Sequence, residues 1–190
     1  MKKIVLGLFL LTYSLPSLAL FELRGGYGIS QPKTTFGPTF EVGRVAGFHA
    51  DAIIEPPLTD FGFGLRYEKL GFDVESPTAI SPTDLERISV LINYRFIDLI
   101  VYFGAIGTIG FRNTMTMENY QGTGTTETFN NNYTFTYGVE GGFKFGFFQI
   151  GLELGYFHSG PFSIENDAIT APEGLMIDSL YGKAAVGLTF

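Results

Sequence analysis

The chain is 190 residues long, contains no cysteine and carries 12 basic against 19 acidic residues. That balance excludes a nucleic-acid partner, which needs a basic footprint. The lack of cysteine excludes disulfide staples and an acylated-cysteine anchor. Phe, Tyr and Gly are abundant and mean hydropathy is positive, yet no stretch after residue 19 approaches the roughly 18 consecutive apolar residues of a membrane-spanning helix.

The first nineteen residues read as a secretory leader. Lys2 and Lys3 form a positive start, Ile4 to Leu11 an apolar run, and Ser17 and Ala19 the small residues of a cleavage site. Residues 1–19 are therefore expected to be a signal peptide and 20–190 a single domain. Removing the leader takes two basic residues and no acid, leaving 10 basic against 19 acidic residues and a formal charge of −9.

Eight segments with period-two alternation follow, each with one apolar and one mixed face. The first, Phe21 to Ser30, sets Phe21, Leu23, Tyr27 and Ile29 against Glu22, Arg24, Gly26 and Gly28. The second, about Phe40 to Ile54, sets Phe40, Val42, Ala46, Phe48, Ala50 and Ala52 against Glu41, Gly43, Gly47, His49 and Asp51, and Pro56-Pro57 ends it. In the third, Asp60 to Phe72, Phe61, Phe63, Leu65 and Tyr67 oppose Gly62, Gly64, Arg66 and Glu68. The fourth, about Leu85 to Phe96, turns Arg87, Ser89, Asn93 and Arg95 to the mixed side, and a tight turn at Ile97-Asp98 leads to the fifth, Leu99 to Phe111. The fifth is the least regular, because its mixed face also holds Ile100 and Ile106. The sixth, roughly Asn132 to Phe145, carries Glu140 and Lys144 on its mixed face. Gly146-Phe147 turns into the seventh, Phe148 to Ser159, which carries Glu153. The last, Ser179 to Phe190, sets Leu180, Ala184, Val186, Leu188 and Phe190 against Tyr181, Lys183 and Thr189.

The connections alternate. Those at 31–38, 73–84, 112–131 and 160–177 are long and polar, whereas the others are short. Transmembrane barrels show this asymmetry and an even strand count. A soluble sandwich would not need all its long connections on one side, nor bury Arg66, Glu68, Glu140, Lys144 and Glu153 in mid-strand. The predicted fold is all-β: an eight-stranded antiparallel up-and-down transmembrane β-barrel.

Over the whole mature region the chain resembles the small eight-stranded outer-membrane barrels of the OmpA transmembrane-domain and OmpX type. The resemblance rests on the leader, the eight segments, the loop asymmetry and the terminal Gly187-Leu188-Thr189-Phe190. From Lys183 onward the chain is also similar to the terminal assembly signal of such barrels, with Leu188 and Phe190 on the lipid face. It departs from that signal at Ala185, where the family prefers glycine, and at Leu188, where it prefers an aromatic. The resemblance implies the bacterial outer membrane, contact with its lipid and lipopolysaccharide, and recognition by the barrel-assembly machinery. It also implies protruding loops able to bind a host protein or a phage, and no peptidoglycan-binding domain. It specifies a fold and an assembly route, not an activity.

The mixed face points inward, where about eight strands leave only enough room for side chains. Glu22, Arg24, Asp51, Arg66, Glu68, Arg87, Arg95, Glu140, Lys144, Glu153 and Lys183 are predicted to form a paired lumen network, since charges taken from water need partners. That network reads either as a plugged structural core or as a narrow ion path gated by rearranging pairs. Arg44, Lys69 and His158 break the apolar parity near the long-loop ends, where cations meet lipopolysaccharide phosphates or snorkel to water. His158-Ser159 resembles the pair of lipid A deacylase barrels, in which a histidine activates a serine. Here, however, Gly160 stands where a same-face serine would be, and Pro161 replaces the family's asparagine. His49 reads as a hydrogen-bonded core histidine. The loop acids Asp73, Glu75, Asp84, Glu118, Glu127, Glu165, Asp167 and Glu173 lack the spacing of a calcium loop, so neither a metal nor a cofactor is predicted. The leading expectation is a structural or surface-interaction role through the outer loops. A narrow pore is the alternative, followed by an envelope-lipid hydrolase.

Overall fold

A half-apolar strand crosses a bilayer only when every backbone group finds a partner, which requires the sheet to close. The computed structural model describes residues 21–34, 41–56, 59–75, 79–131, 133–164 and 176–190. The expected signal peptide (residues 1–19), Phe40, Pro57, Asn132 and the acids Glu165, Asp167 and Glu173 lie outside the described residues. The strands are β1 (Phe21–Thr34), β2 (Glu41–Val42), β3 (Val45–Ile54), β4 (Phe61–Glu75), β5 (Ile80–Asp98) and β6 (Val101–Met117). They continue with β7 (Glu127–Asn131), β8 (Thr134–Phe145), β9 (Phe148–Ser159), β10 (Ser163–Ile164) and β11 (Ile177–Thr189).

Three short pieces extend longer neighbours. β2 runs toward β3, β7 toward β8, and β10 continues β9, so the wall has eight staves. Every pairing is antiparallel, β1 joins β11 from Glu22↔Thr189 to Thr34↔Ile177, and β6 meets β8 to close the ring. The predicted eight-stranded barrel is what forms.

Outside, the wall carries an apolar band that includes Phe63, Leu65, Ile92, Val139, Leu152, Leu154 and Val186, all exposed. Aromatic belts border it. At the short-turn end the Phe61 ring lies tilted against Tyr94 (4.7 Å) and Tyr94 meets Phe96 edge-to-face (5.1 Å). At the other end Phe48 meets Tyr67 (5.9 Å) and Tyr137 meets Tyr156 (5.7 Å). An apolar band between two aromatic girdles is the outer surface of a membrane barrel. Phe190, one residue past β11, lies on this exposed face, as expected.

The long connections differ from expectation. Residues 31–34, 73–75, 80–84, 112–117 and 127–131 are strand, not loop. Beyond the outer belt the alternation inverts: Phe72, Val74, Leu85, Met115, Met117 and Phe129 turn inward and form one buried cluster with Val45, Tyr120, Phe157, Phe162, Ile177 and Tyr181. Asp73, Glu75, Asp84 and Glu86 point out to water. Here the barrel is built like a soluble one, apolar inside and polar outside, because water rather than lipid surrounds it.

Two bulges carry the change of parity. Gly43, Arg44 and Val45 lie opposite only Phe72 and Asp73, which turns Val42 toward the inner cluster instead of the lipid. In β6 the extra residue is Phe111. Inward positions are even through Gly110 and odd from Asn113 onward. A third irregularity at Phe96 lets β5 run through Asp98, so the tight turn falls at Leu99-Ile100, not Ile97-Asp98. Gly146 makes the other expected turn with φ +62°, a conformation that suits glycine.

Candidate functional site

The inward charges assemble into two tiers. The lower one is a closed ring of four on β1, β5 and β8. Arg24 binds Glu22 and Glu140, while Arg95 reaches the same two carboxylates at 2.8 and 3.4 Å. Gln149 and Asn93 donate to Glu22 and Glu140 (Asn93 at 2.9 Å), and the Arg95 guanidinium lies 4.8 Å from the centre of the Tyr102 ring. At the mouth below, Arg95 also binds Glu55 and, at 3.6 Å, Asp98, which in turn binds Lys144. Lys144 is thus a rim residue, less buried than the other predicted network members.

The upper tier is a zigzag of six charges. Arg66 grips Asp51 through Nε and Nη2 (2.7 and 2.9 Å) and Glu153 through Nη1 and Nη2 (2.9 and 2.7 Å). Both grips are two-point, the geometry that a guanidinium provides. Lys183 binds Glu68 at 2.6 Å and lies 3.7 Å from Glu153, and Arg87 completes the chain on Glu68. Tyr181 donates to Glu153 at 2.7 Å and Arg87 Nε to Thr134 at 2.9 Å, so each charge keeps several partners except Asp51, which Arg66 alone holds. β4 and β9 stand on opposite sides of the ring, so the Arg66–Glu153 pair spans the lumen.

Each tier's core is charge-balanced, two cations with two anions below and three with three above. No ion pair joins them among the described residues. Between them lie Ile53, Leu91 and Ile106, a small buried apolar cluster, which accounts for Ile106 on the mixed face of the fifth segment, while Ile100 lies in the exposed turn before it. On the other side of the lumen a void of about 10 Å³, lined by His49, Arg24 and Tyr102, is only large enough for one water. His49 is buried, but its Nδ1 has no hydrogen-bond partner, so the expected hydrogen-bonded core histidine is not found.

All eleven predicted lumen residues therefore come together. Sequence reasoning missed Glu55 and Asp98, which lie outside the strand alternation it used. It also missed Asn93, Gln149 and Tyr181 as partners, although their parity was legible. Glu55 sits in the turn after β3, where burial pushes its carboxyl up from 4.5 to about 7, against the lowering influence of Arg95.

The residues that break the apolar parity do lie on the outer rim. Arg44 is exposed, Lys69 sits 3.3 Å from Asp84 and 3.5 Å from Glu86, and His158 Nδ1 is 2.5 Å from Asp178 with its ring 4.7 Å from Phe135. Ser159 points the other way: it is fully buried and accepts the Ile177 amide at 2.7 Å. Lys183, at the start of the predicted assembly signal, is an inward upper-tier residue, whereas Leu188 and Phe190 face out.

No protein-family model matches the chain, and no curated protein matches its sequence. Among solved structures it is similar to Neisserial surface protein A, with TM-score 0.59 and 14% identity over 90% of this chain and 97% of that one. It is also similar to Ail, the attachment invasion locus protein of Yersinia pestis, solved with the heparin analogue sucrose octasulfate (TM-score 0.56, 16% identity, 90% and 97% coverage). A third similar structure is OprG of Pseudomonas aeruginosa (TM-score 0.51, 11% identity, 90% and 95% coverage). Likeness at such low identity speaks for the fold, and with the apolar band and its two belts it makes the chain a small eight-stranded β-barrel of the bacterial outer membrane.

Proposed function

We propose that the protein is a surface-interaction barrel whose lumen is a structural core. The observation that carries this reading is the buried apolar cluster beyond the outer belt, from Val74 and Leu85 to Met115 and Phe129. It gives the extracellular extension its own packed interior and makes it a rigid platform rather than a set of loose loops. A rigid platform loses little conformational entropy on binding, which favours recognition.

The chemistry displayed is acidic. Glu41, Asp73, Glu75, Asp84, Glu86 and Glu118 are exposed there, against Lys69, Arg44 and Arg112. Charge complementarity then selects a cationic protein surface and disfavours sulfated sugars such as the one in the Ail structure. In this reading Arg44, Lys69 and His158 meet lipopolysaccharide, the barrel-assembly machinery inserts the chain after residues 1–19 are removed, and no catalytic role is assigned. Ser159 buried behind His158 supports the last point. The test is surface plasmon resonance of nanodisc-embedded protein over poly-lysine and over heparin. Binding to poly-lysine that is lost in an Asp73→Lys, Asp84→Lys, Glu118→Lys variant supports the reading; binding to heparin alone overturns it.

A narrow pore is the second reading, and the void between the tiers is the observation in its favour. Conduction would require Arg66 to release Asp51 or Glu153, since its side chain crosses the lumen.

A further inference from the structure

A β-bulge lets two consecutive side chains face the same way, and proteins use it to re-aim a residue. In β6 it does so at the outer rim. Phe111 is the unpaired extra residue, so Phe111 and Arg112 are both exposed side by side. The level is fixed by their neighbours. Ile109 lies opposite Phe135, which stacks on Tyr137 of the outer belt, and Arg112 lies opposite Ile88, whose other partner is Tyr67 of the same belt. Phe111 is thus at the edge of the apolar band and Arg112 just above it, at the depth of lipid headgroups.

Arg112 also differs in its surroundings from the other rim cations: Arg44 shares its groove with the acids Asp73, Asp84 and Glu118, whereas no acid among the described residues lines the groove of Arg112. Lys69 is held by Asp84 and Glu86, and His158 by Asp178. Arg112 has no ion pair or hydrogen bond from its side chain among the described residues. It lines an open groove of about 430 Å³ with Phe111, Thr114, Thr128 and Asn130. The Thr114 hydroxyl donates to Asn130 Oδ1 at 3.3 Å, which holds polar groups along the groove wall.

We propose that this groove binds the phosphorylated sugar headgroup of an outer-leaflet glycolipid. The unpaired guanidinium takes the phosphate through two parallel N–H donors, the threonine and asparagine groups meet sugar hydroxyls, and Phe111 packs on the first acyl carbons. A phosphate-bearing amphiphile matches all three features: one free cation, hydroxyl-scale polar groups and an aromatic at the oil–water boundary. The proposal rests on the membrane placement of the barrel and not on the acidic platform.

The test is native mass spectrometry of detergent-solubilised, folded protein titrated with bis-phosphorylated lipid A, dephosphorylated lipid A and inorganic phosphate. Folding of each variant is checked by heat-modified gel mobility. The wild type should retain bis-phosphorylated lipid A and lose about tenfold in affinity as Arg112→Ala, less as Arg112→Lys, and severalfold as Phe111→Ala. Lys144→Ala, at the opposite mouth of the barrel, should change binding little. Equal losses for Arg112→Ala and Lys144→Ala, equal retention of the dephosphorylated lipid, or displacement by millimolar inorganic phosphate would each overturn it.

Discussion

Glu140 and Glu153 face each other directly across the β8–β9 ladder, yet they belong to different tiers. Glu140 turns down to Arg24 and Arg95, and Glu153 turns up to Arg66 and Lys183. Two like charges on adjacent inward positions are tolerated because each has its own cations: Arg24 and Arg95 for Glu140, and for Glu153 Arg66 from across the lumen and Lys183 from the adjacent β11.

That division predicts how substitutions combine. Arg66→Met alone leaves Asp51 and Glu153 buried without their main partner and should cost about 3–5 kcal/mol. Pairing it with Glu153→Gln, inside the tier, should show a coupling above about 1 kcal/mol. Pairing it with Glu140→Gln, across the tiers, should be additive within about 0.5 kcal/mol. Urea unfolding in lipid vesicles measures all three, and equal couplings would dissolve the two-tier description.

A lumen crossed by Arg66 should not conduct. Purified wild type in planar bilayers is expected to show no steady current, while Arg66→Ala together with Glu153→Ala opens a small one. Steady conductance of the wild type that responds to Glu140→Gln would favour the pore instead.

Glu55 gives a pH signature. Its carboxyl is pushed up from 4.5 to about 7 in the folded chain, so folding takes up a proton between those limits. The stability tied to that protonation is present at low pH and is lost as the pH rises through about 7. Glu55→Gln, which is neutral throughout, should match the wild type near pH 5 and exceed it near pH 8 in unfolding midpoint. Parallel profiles for the two proteins would contradict this.

The extracellular extension should unfold separately from the membrane band. Met115 is fully buried in the outer cluster, and Met115→Ala should cost about 2–5 kcal/mol locally. Limited proteolysis of vesicles should then cut faster within 118–126 while the band stays protected. Unchanged cleavage would argue that the cluster does not hold the extension.

The fold was legible because lipid imposes one rule on every stave: Leu65 must face out and Arg66 in, whatever the neighbours are. The lumen residues were legible for the same reason, and Arg66 and Glu153 could be named before their contact was known. Their pairing was not legible, because the partners lie on strands facing each other across the ring and alternation carries no register. Asp73 and Asp84 read as loop acids because proline and charge are common to turns and to water-facing strands; the inward Phe72 and Leu85 flanking them, and Val74 within, were the overlooked signal. The bulges at Phe111 and at Gly43–Val45 were hidden because one extra residue changes parity without changing composition.

Amide hydrogen exchange of the protein in nanodiscs tests the rigid platform most directly. Slow exchange should continue past Tyr67 and Ile109 to Phe72, Val74, Leu85 and Met115, at rates within about tenfold of the membrane band. Protection that stops at the outer aromatic belt, with free exchange at those four residues, would contradict it.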